Sequence, residues 1–367
     1  MTAYGRTKGS GAVLRLMLVV LAVLGVALMS GCGDDEDSGG GAAATETTEA
    51  PAVDNSKVSG KKIGYLDVIE VAAIEQRWSN AFEFAADKIG WEVQVLDAAG
   101  DPAKALNHFR NLTNSGVDAI VGSSIAAEWV RPGAPAAKAK DIALVQLITK
   151  ASPGVWEADI DEDATAYSTA LAERIKEDFP DGAKVGVLIE GVIPAEQQRL
   201  AVLTEQFEGS NIEIVATKDI PLADQPSAQK ATVDVMNAQP DIDVLVSVSS
   251  VLVQYMLPGL RTAGKDDVKV YSWYADSINA KLLQSNPQFV AVVDSDIAKA
   301  SFIAIDELLM RFSGEEMTPQ QNVDVEPKIV TKDDLNDAIA ADEGPVPYEE
   351  LIAPFLEEWQ TKYGLGT

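Results

Sequence analysis

From Lys62 onward the chain alternates short, nearly unbroken apolar runs with longer segments whose apolar residues recur every three to four positions. Residues 62–66, 116–121 and 142–148 are such runs, each of strand length, and residues 91–96 alternate as a further strand. Between the first run and that strand, residues 72–89 put Ile74, Trp78, Phe82 and Ala85 on one helical face, and Gly90 stops the helix. Asp101 and Pro102 open the next helix, with Asp as cap and Pro in the first turn, and Leu106, Phe109 and Leu112 form its apolar stripe. A short helical piece ends over 136–140. After Asp161 the rhythm resumes: predicted helices at 167–179, 194–207, 229–238 and 252–263 alternate with predicted strands at 183–189, 212–216, 244–248 and 268–273. Strands that are apolar throughout are covered on both faces, so each half is expected to hold a parallel sheet with right-handed helical crossovers. Ligands of such folds sit beyond the carboxyl ends of the strands.

The first 31 residues have a different character. Arg6, Lys8 and Arg15 precede the apolar run 16–28, and no acid occurs before Asp34. A basic start, a short apolar core and a small-residue stop make a secretory leader, and the core is shorter than a comfortable membrane span. The chain's single cysteine, Cys32, stands at its end. The segment Met29-Ser30-Gly31-Cys32 resembles the lipobox of bacterial lipoproteins, with Leu28 one place earlier than in the usual pattern. That resemblance implies cleavage before Cys32 and lipidation of its thiol. Residues 32–58 are largely Gly, Ala, Ser, Thr and acid, and read as a flexible spacer. The remaining roughly 300 residues suffice for two lobes with separate cores. A formal net charge of -28 argues against nucleic-acid binding and against a body lying on anionic lipid.

Motifs for chemistry are missing. No glycine-rich dinucleotide or phosphate loop follows a strand, and Gly122 is followed by two serines. The hydrolase elbow is absent, and the lone histidine, His108, sits near a helix start beside Asn107 and Arg110. No Cys, His and carboxylate cluster has metal-ligand spacing. The expectation is a protein without cofactor, metal or catalytic machinery.

Taken together, several segments resemble the type 1 periplasmic solute-binding proteins of ABC transporters, of the ribose- and sugar-binding kind. They are NAFEFAADKIG at 80–90, DPAKALNHFRNLTNSGVDAIV at 101–121, DIDEDATAYSTALA at 159–172, GVIPAEQQR at 191–199, and the strand and helix over 289–310. The resemblance implies an α/β fold of two Rossmann-like lobes with parallel sheets joined by a three-strand hinge. On that pattern the N-terminal lobe is 59–162 with 295–314, the C-terminal lobe is 163–294 with 323–330, and 332–367 is a helical C-terminal extension. In the extension Leu351, Phe355 and Trp359 recur at helical spacing.

The resemblance also implies a ligand cleft lined by the family's polar positions. Arg199 keeps the family's ligand-binding Arg, and Asp161 keeps the Asp of the first crossing, a position shared with the hinge. Elsewhere the sugar pattern is replaced: Ile148-Thr149 stands for an Asp, Ser249-Ser250 for an Asn-Asp pair, and Tyr274 for the Asp after Ser272-Trp273. Ser123-Ser124 stands where Asn or Pro is common, and Ile74-Glu75 aligns loosely with an aromatic pair. Two readings remain open. In one, Trp273 and Tyr274 wall a more apolar pocket and Arg199 anchors a carboxylate or phosphate. In the other, loop acids such as Asp67, Glu70, Glu190 and Asp276 pair with sugar hydroxyls, since a closed cleft must satisfy each one. The candidate ligand-binding set is Asp67, Glu70, Ser124, Trp129, Gln146, Asp161, Arg199, Ser249, Trp273, Tyr274 and Asp294.

The function implied is capture of a sugar or sugar-like molecule and its delivery to an ABC permease, by a monomeric body tethered through Cys32 to the extracytoplasmic face of the membrane. The alternatives are a non-sugar aromatic or acidic ligand, or a sensor that signals through a membrane receptor.

Overall fold

A computed structural model describes residues 54–148 and 154–366. The leader, Cys32, the spacer up to residue 53 and Thr149 lie outside the described residues. The described chain builds two six-stranded sheets with helices on both sides.

The first sheet contains β1 (Lys62–Asp67), β2 (Glu92–Asp97), β3 (Ala119–Ser123), β4 (Ala143–Leu147) and β5 (Ala158–Asp161), plus the late strand β11 (Gln320–Asn322). Its order is β11-β5-β4-β3-β1-β2. The second sheet repeats the plan with β6 (Ala183–Ile189), β7 (Ile212–Asp219), β8 (Val244–Ser247), β9 (Lys269–Trp273), β10 (Phe289–Asp294) and β12 (Lys328–Val330), in the order β12-β10-β9-β8-β6-β7. All neighbours are parallel except β10 and β12. In each sheet the first strand lies between the second and third, so the strand order reverses direction beside β1 and again beside β6. Such switch points are where doubly wound sheets leave a crevice.

Helices α1 (Ala73–Lys88), α2 (Pro102–Ser115), α3 (Ala127–Val130) and α4 (Ala134–Lys138) serve the first sheet. Helices α5 (Ala164–Asp178), α6 (Pro194–Phe207), α7 (Ala228–Ala238), α8 (Val253–Ala263) and α9 (Ser277–Ser285) serve the second. The chain passes from β5 to α5, which packs on β10, and from β10 to α10 (Lys299–Ser313), which packs on β4 and β5. It passes a third time from β11 to β12. Residues 315–322, which the sequence pattern assigns to neither lobe, thus supply β11 to the first sheet. The C-terminal segment then forms α11 (Asp337–Ala340) beside α9 and α12 (Tyr348–Tyr363) against α1 and α10.

Local sequence explains the element ends. Asp101 accepts from the Ala103 and Lys104 amides at the start of α2, and Asp163 does the same for Thr165 and Ala166 at α5. At Gly122 in β3 the requirement is space: a Cβ there would come within 2.6 Å of the Trp156 ring and of Gln146 Oε1. That packing, rather than a phosphate loop, accounts for the glycine before the two serines.

Candidate functional site

The carboxyl ends of the two sheets share one cavity. Its lining follows from topology. Val68 and Ile69 come just after β1, Ser124 after β3, Ile148 after β4, Glu190 after β6, Ser249 and Ser250 after β8, and Tyr274 after β9. The first turns of two equivalent helices add the rest. Glu75 and Trp78 are the third and sixth residues of α1, and Glu196 and Arg199 are the third and sixth of α6. Leu222 and Gln225 come from the 3-10 turn Leu222–Ser227.

Three lining residues, Ser124, Ile148 and Tyr274, have left-handed backbones with φ of 53°, 55° and 60°. This conformation is costly for residues with a Cβ, most of all for β-branched Ile148. All three immediately follow strands. The strain therefore sits where the chain turns off the sheet and its side chains are redirected into the cavity.

The polar groups form two networks. In the first, Arg199 donates through Nε to Glu162, through Nη2 to the Tyr274 hydroxyl at 2.6 Å, and through Nη1 to the Val248 carbonyl at 3.3 Å. The Tyr274 hydroxyl in turn donates to Glu162, and the Arg199 guanidinium lies 5.0 Å from the Tyr274 ring. In the second, Gln225 donates to Glu190 at 3.0 Å and the Glu190 amide donates to Glu196 at 2.7 Å, while separately the Ser123 hydroxyl donates to Glu75 at 2.9 Å. Burial pushes the Glu75 carboxyl up to about 7 and raises those of Glu190 and Glu196. At the edge of the first sheet burial likewise raises Asp159 and Asp161 to about 7.

These shifts fix a sign. A carboxyl raised by burial binds its proton more tightly in the folded chain than in the unfolded one. Its stabilising contribution is complete below the unfolded value near 4 and is lost as pH rises through about 7. The ligand-free protein is therefore expected to melt at a higher temperature at pH 5.5 than at pH 8, as scanning calorimetry would show. A higher melting temperature at pH 8 would mean that these carboxyls are ionised in the folded state without penalty.

Of the candidate residues, Ser124, Arg199, Ser249 and Tyr274 line the cavity. The others are placed elsewhere. Asp67 is buried at the end of β1 and accepts from the Ile69 amide at 2.9 Å, shaping the turn beside the cavity. Glu70 is exposed, and its amide donates to Asp97. Trp129 is half-buried against the core on α3. Gln146 donates to the Ile125 carbonyl inside the first sheet's layer. Asp161 receives the Glu162 amide at the crossing. Trp273 is wholly buried in the second core. Asp294 receives Nη1 of Arg77 at 2.9 and 3.1 Å. Of the other loop acids, Glu190 lines the cavity, whereas Asp276 caps α9 through the Asn279 amide. Sequence reasoning missed Glu75, Trp78, Glu196 and Gln225 as lining residues. A signal was present for three of them: each half begins strand, loop, helix, with a Glu at the third helical residue and a large side chain three later.

Comparison with known proteins agrees with this geometry. The sequence profile of the periplasmic binding protein domain family matches residues 71–316. The chain is 24% identical over 255 residues to the ribose import binding protein RbsB of Escherichia coli, covering 67% of this chain and 82% of that protein. Among solved structures, the 5-methylthioribose transporter solute binding protein of Thermotoga lettingae aligns with a TM-score of 0.67 at 18% identity, over 80% of this chain and 92% of that one. The Caulobacter myo-inositol binding protein, bound to myo-inositol, aligns with a TM-score of 0.67 at 17% identity, over 76% of this chain and 95% of that one. The two facing switch points, the enclosed space between them and the profile match converge: this chain belongs to the periplasmic binding protein domain family.

Proposed function

We propose that this chain is the substrate-binding subunit of an ABC importer and that it captures a small sugar or sugar-like polyol in the interlobe cavity. The observation that carries this reading is the cavity itself, lined from both sheets at their switch points and rich in hydrogen-bonding groups. A ligand that touches both lobes favours the closed arrangement by the free energy of those added contacts, and a permease can read that shift. No chemical step is needed. The names of the relatives, ribose import and transport of 5-methylthioribose, support a sugar-like cargo.

The leader and Cys32 supply the address in this reading. Lipid on Cys32 tethers a monomeric body to the extracytoplasmic face, and the spacer keeps it near the permease at high effective concentration. An acidic ligand held by Arg199 has less support, because the Nε, Nη1 and Nη2 of that guanidinium each already donate within the protein.

The test is mass spectrometry of small molecules released on denaturing the purified protein, paired with a thermal-shift screen of monosaccharides, amino sugars and polyols. Release of a sugar or polyol, with a matching rise in melting temperature, is expected. Release of a nucleotide, peptide or fatty acid instead would sink the reading.

A further inference from the structure

The cavity carries an unbalanced charge. Glu75, Glu190 and Glu196 line it and are 6%, 2% and 4% exposed. The one guanidinium in the lining, Arg199, is already paired with a fourth carboxylate, Glu162. The rest of the wall is largely aliphatic, including Ile69, Ile148 and Val251. Trp78, which also lines the cavity, is 2% exposed, and its indole N–H has no hydrogen-bond partner. A buried donor without an acceptor carries a desolvation penalty that a ligand oxygen would remove.

Resting on the reading that this cavity is the ligand site, we infer that its ligand is a small polyol bearing a protonated amine, with the ammonium held among Glu75, Glu190 and Glu196 and a hydroxyl oxygen available to the Trp78 indole. Buried carboxylates are stable when paired with a cation and otherwise retain protons. An anionic ligand would face three acids. A neutral sugar would leave the acids protonated and bring no charge to pair with them. An ammonium supplies three donors and one positive charge, which is what the lining lacks.

The groups facing these acids set the pH behaviour. Glu75 meets Ser123, Ser124, Arg199, Glu190 and, from β1, Asp67. Glu190 meets Gln225, Ser249, Glu196 and Asp219, and Glu196 meets Glu190 and Arg199. Taken together, five acids share the one guanidinium of Arg199, so the cavity holds protons near neutrality. Entry of an ammonium displaces protons to solvent, and affinity rises with pH until the amine itself deprotonates.

Calorimetric titration of the full chain with matched pairs, D-glucosamine against D-glucose and D-galactosamine against D-galactose, tests this. At least one amine is expected to bind ten-fold or more tightly than its neutral partner. At pH 7 it should release protons, seen as a heat that varies with buffer ionisation enthalpy, and its affinity should fall at least ten-fold between pH 8 and pH 5.5. Glu75→Gln should weaken the amine ten-fold or more while leaving the melting temperature of the empty protein unchanged or higher. Should that variant misfold, proton release by the unaltered chain still decides the matter. Equal binding of the neutral sugars without proton release overturns the amine and leaves the sugar-binding reading intact. Binding of neither series overturns the amine, and co-purification of a nucleotide, peptide or fatty acid overturns both.

Discussion

Replacing Asp294 with alanine is expected to cost about 3–5 kcal/mol of stability, because it strips the partner from a fully buried charge. Arg77 is carried by α1 beside the first sheet, while Asp294 ends β10 of the second. Both are essentially inaccessible, and the carboxylate accepts two bonds from Nη1 at 2.9 and 3.1 Å. The same carboxylate also receives the Ala275 and Ser295 amides at 2.7 Å each, which fixes the chain where it crosses back to the first sheet. After truncation Arg77 keeps only its bond from Nη2 to the Ala275 carbonyl. The check is urea unfolding: the midpoint should fall with little change in slope. The double variant Arg77→Met with Asp294→Asn should recover more than half of the loss, since no buried charge is then left alone. A single variant within about 1 kcal/mol of the parent would show that water replaces the lost partner.

Arg199→Leu is expected to lose a similar amount, about 3–5 kcal/mol, for the same reason. Glu162 would be left buried with only the Tyr274 hydroxyl, and the ring contacts of the guanidinium with Tyr274 and Trp273 would vanish. Arg199→Lys keeps the charge but not the fork of donors, and should recover only part of the stability. Thermal and urea unfolding of both variants measure this, alongside ligand affinity. If Arg199→Leu melts like the parent and loses only ligand binding, Arg199 is a ligand anchor and not a member of the scaffold.

These two arginines show why the fold was more legible than the site. The central strands of both sheets, such as β3, β4, β8 and β10, are short apolar runs, because burial on both faces leaves few polar positions. The α/β class could therefore be read from pattern alone. The short strand β5 and the helix α9 were less visible: ADID carries two acids in four residues, and SINAKLLQS is only about two and a half turns long. Both are held by neighbours more than by their own pattern.

Strand ends present a harder problem. Trp273 and Tyr274 are adjacent in sequence, and both are plausible cavity walls. The last residue of β9 puts its indole into the core, while the left-handed turn at Tyr274 brings the next ring to the cavity. Likewise Asp67 and Asp294 each end a strand at the cleft side of a sheet, yet one folds back on a turn amide and the other is taken by Arg77. Sequence by itself determined the alternation of elements and thus two doubly wound sheets, since hydrophobic periodicity is a local property. Only the tertiary structure decided which polar side chains reach the cavity. That choice depends on backbone dihedrals at the strand ends, and on which partner, 37 residues away for Arg199 and 217 for Arg77, has already satisfied each buried charge.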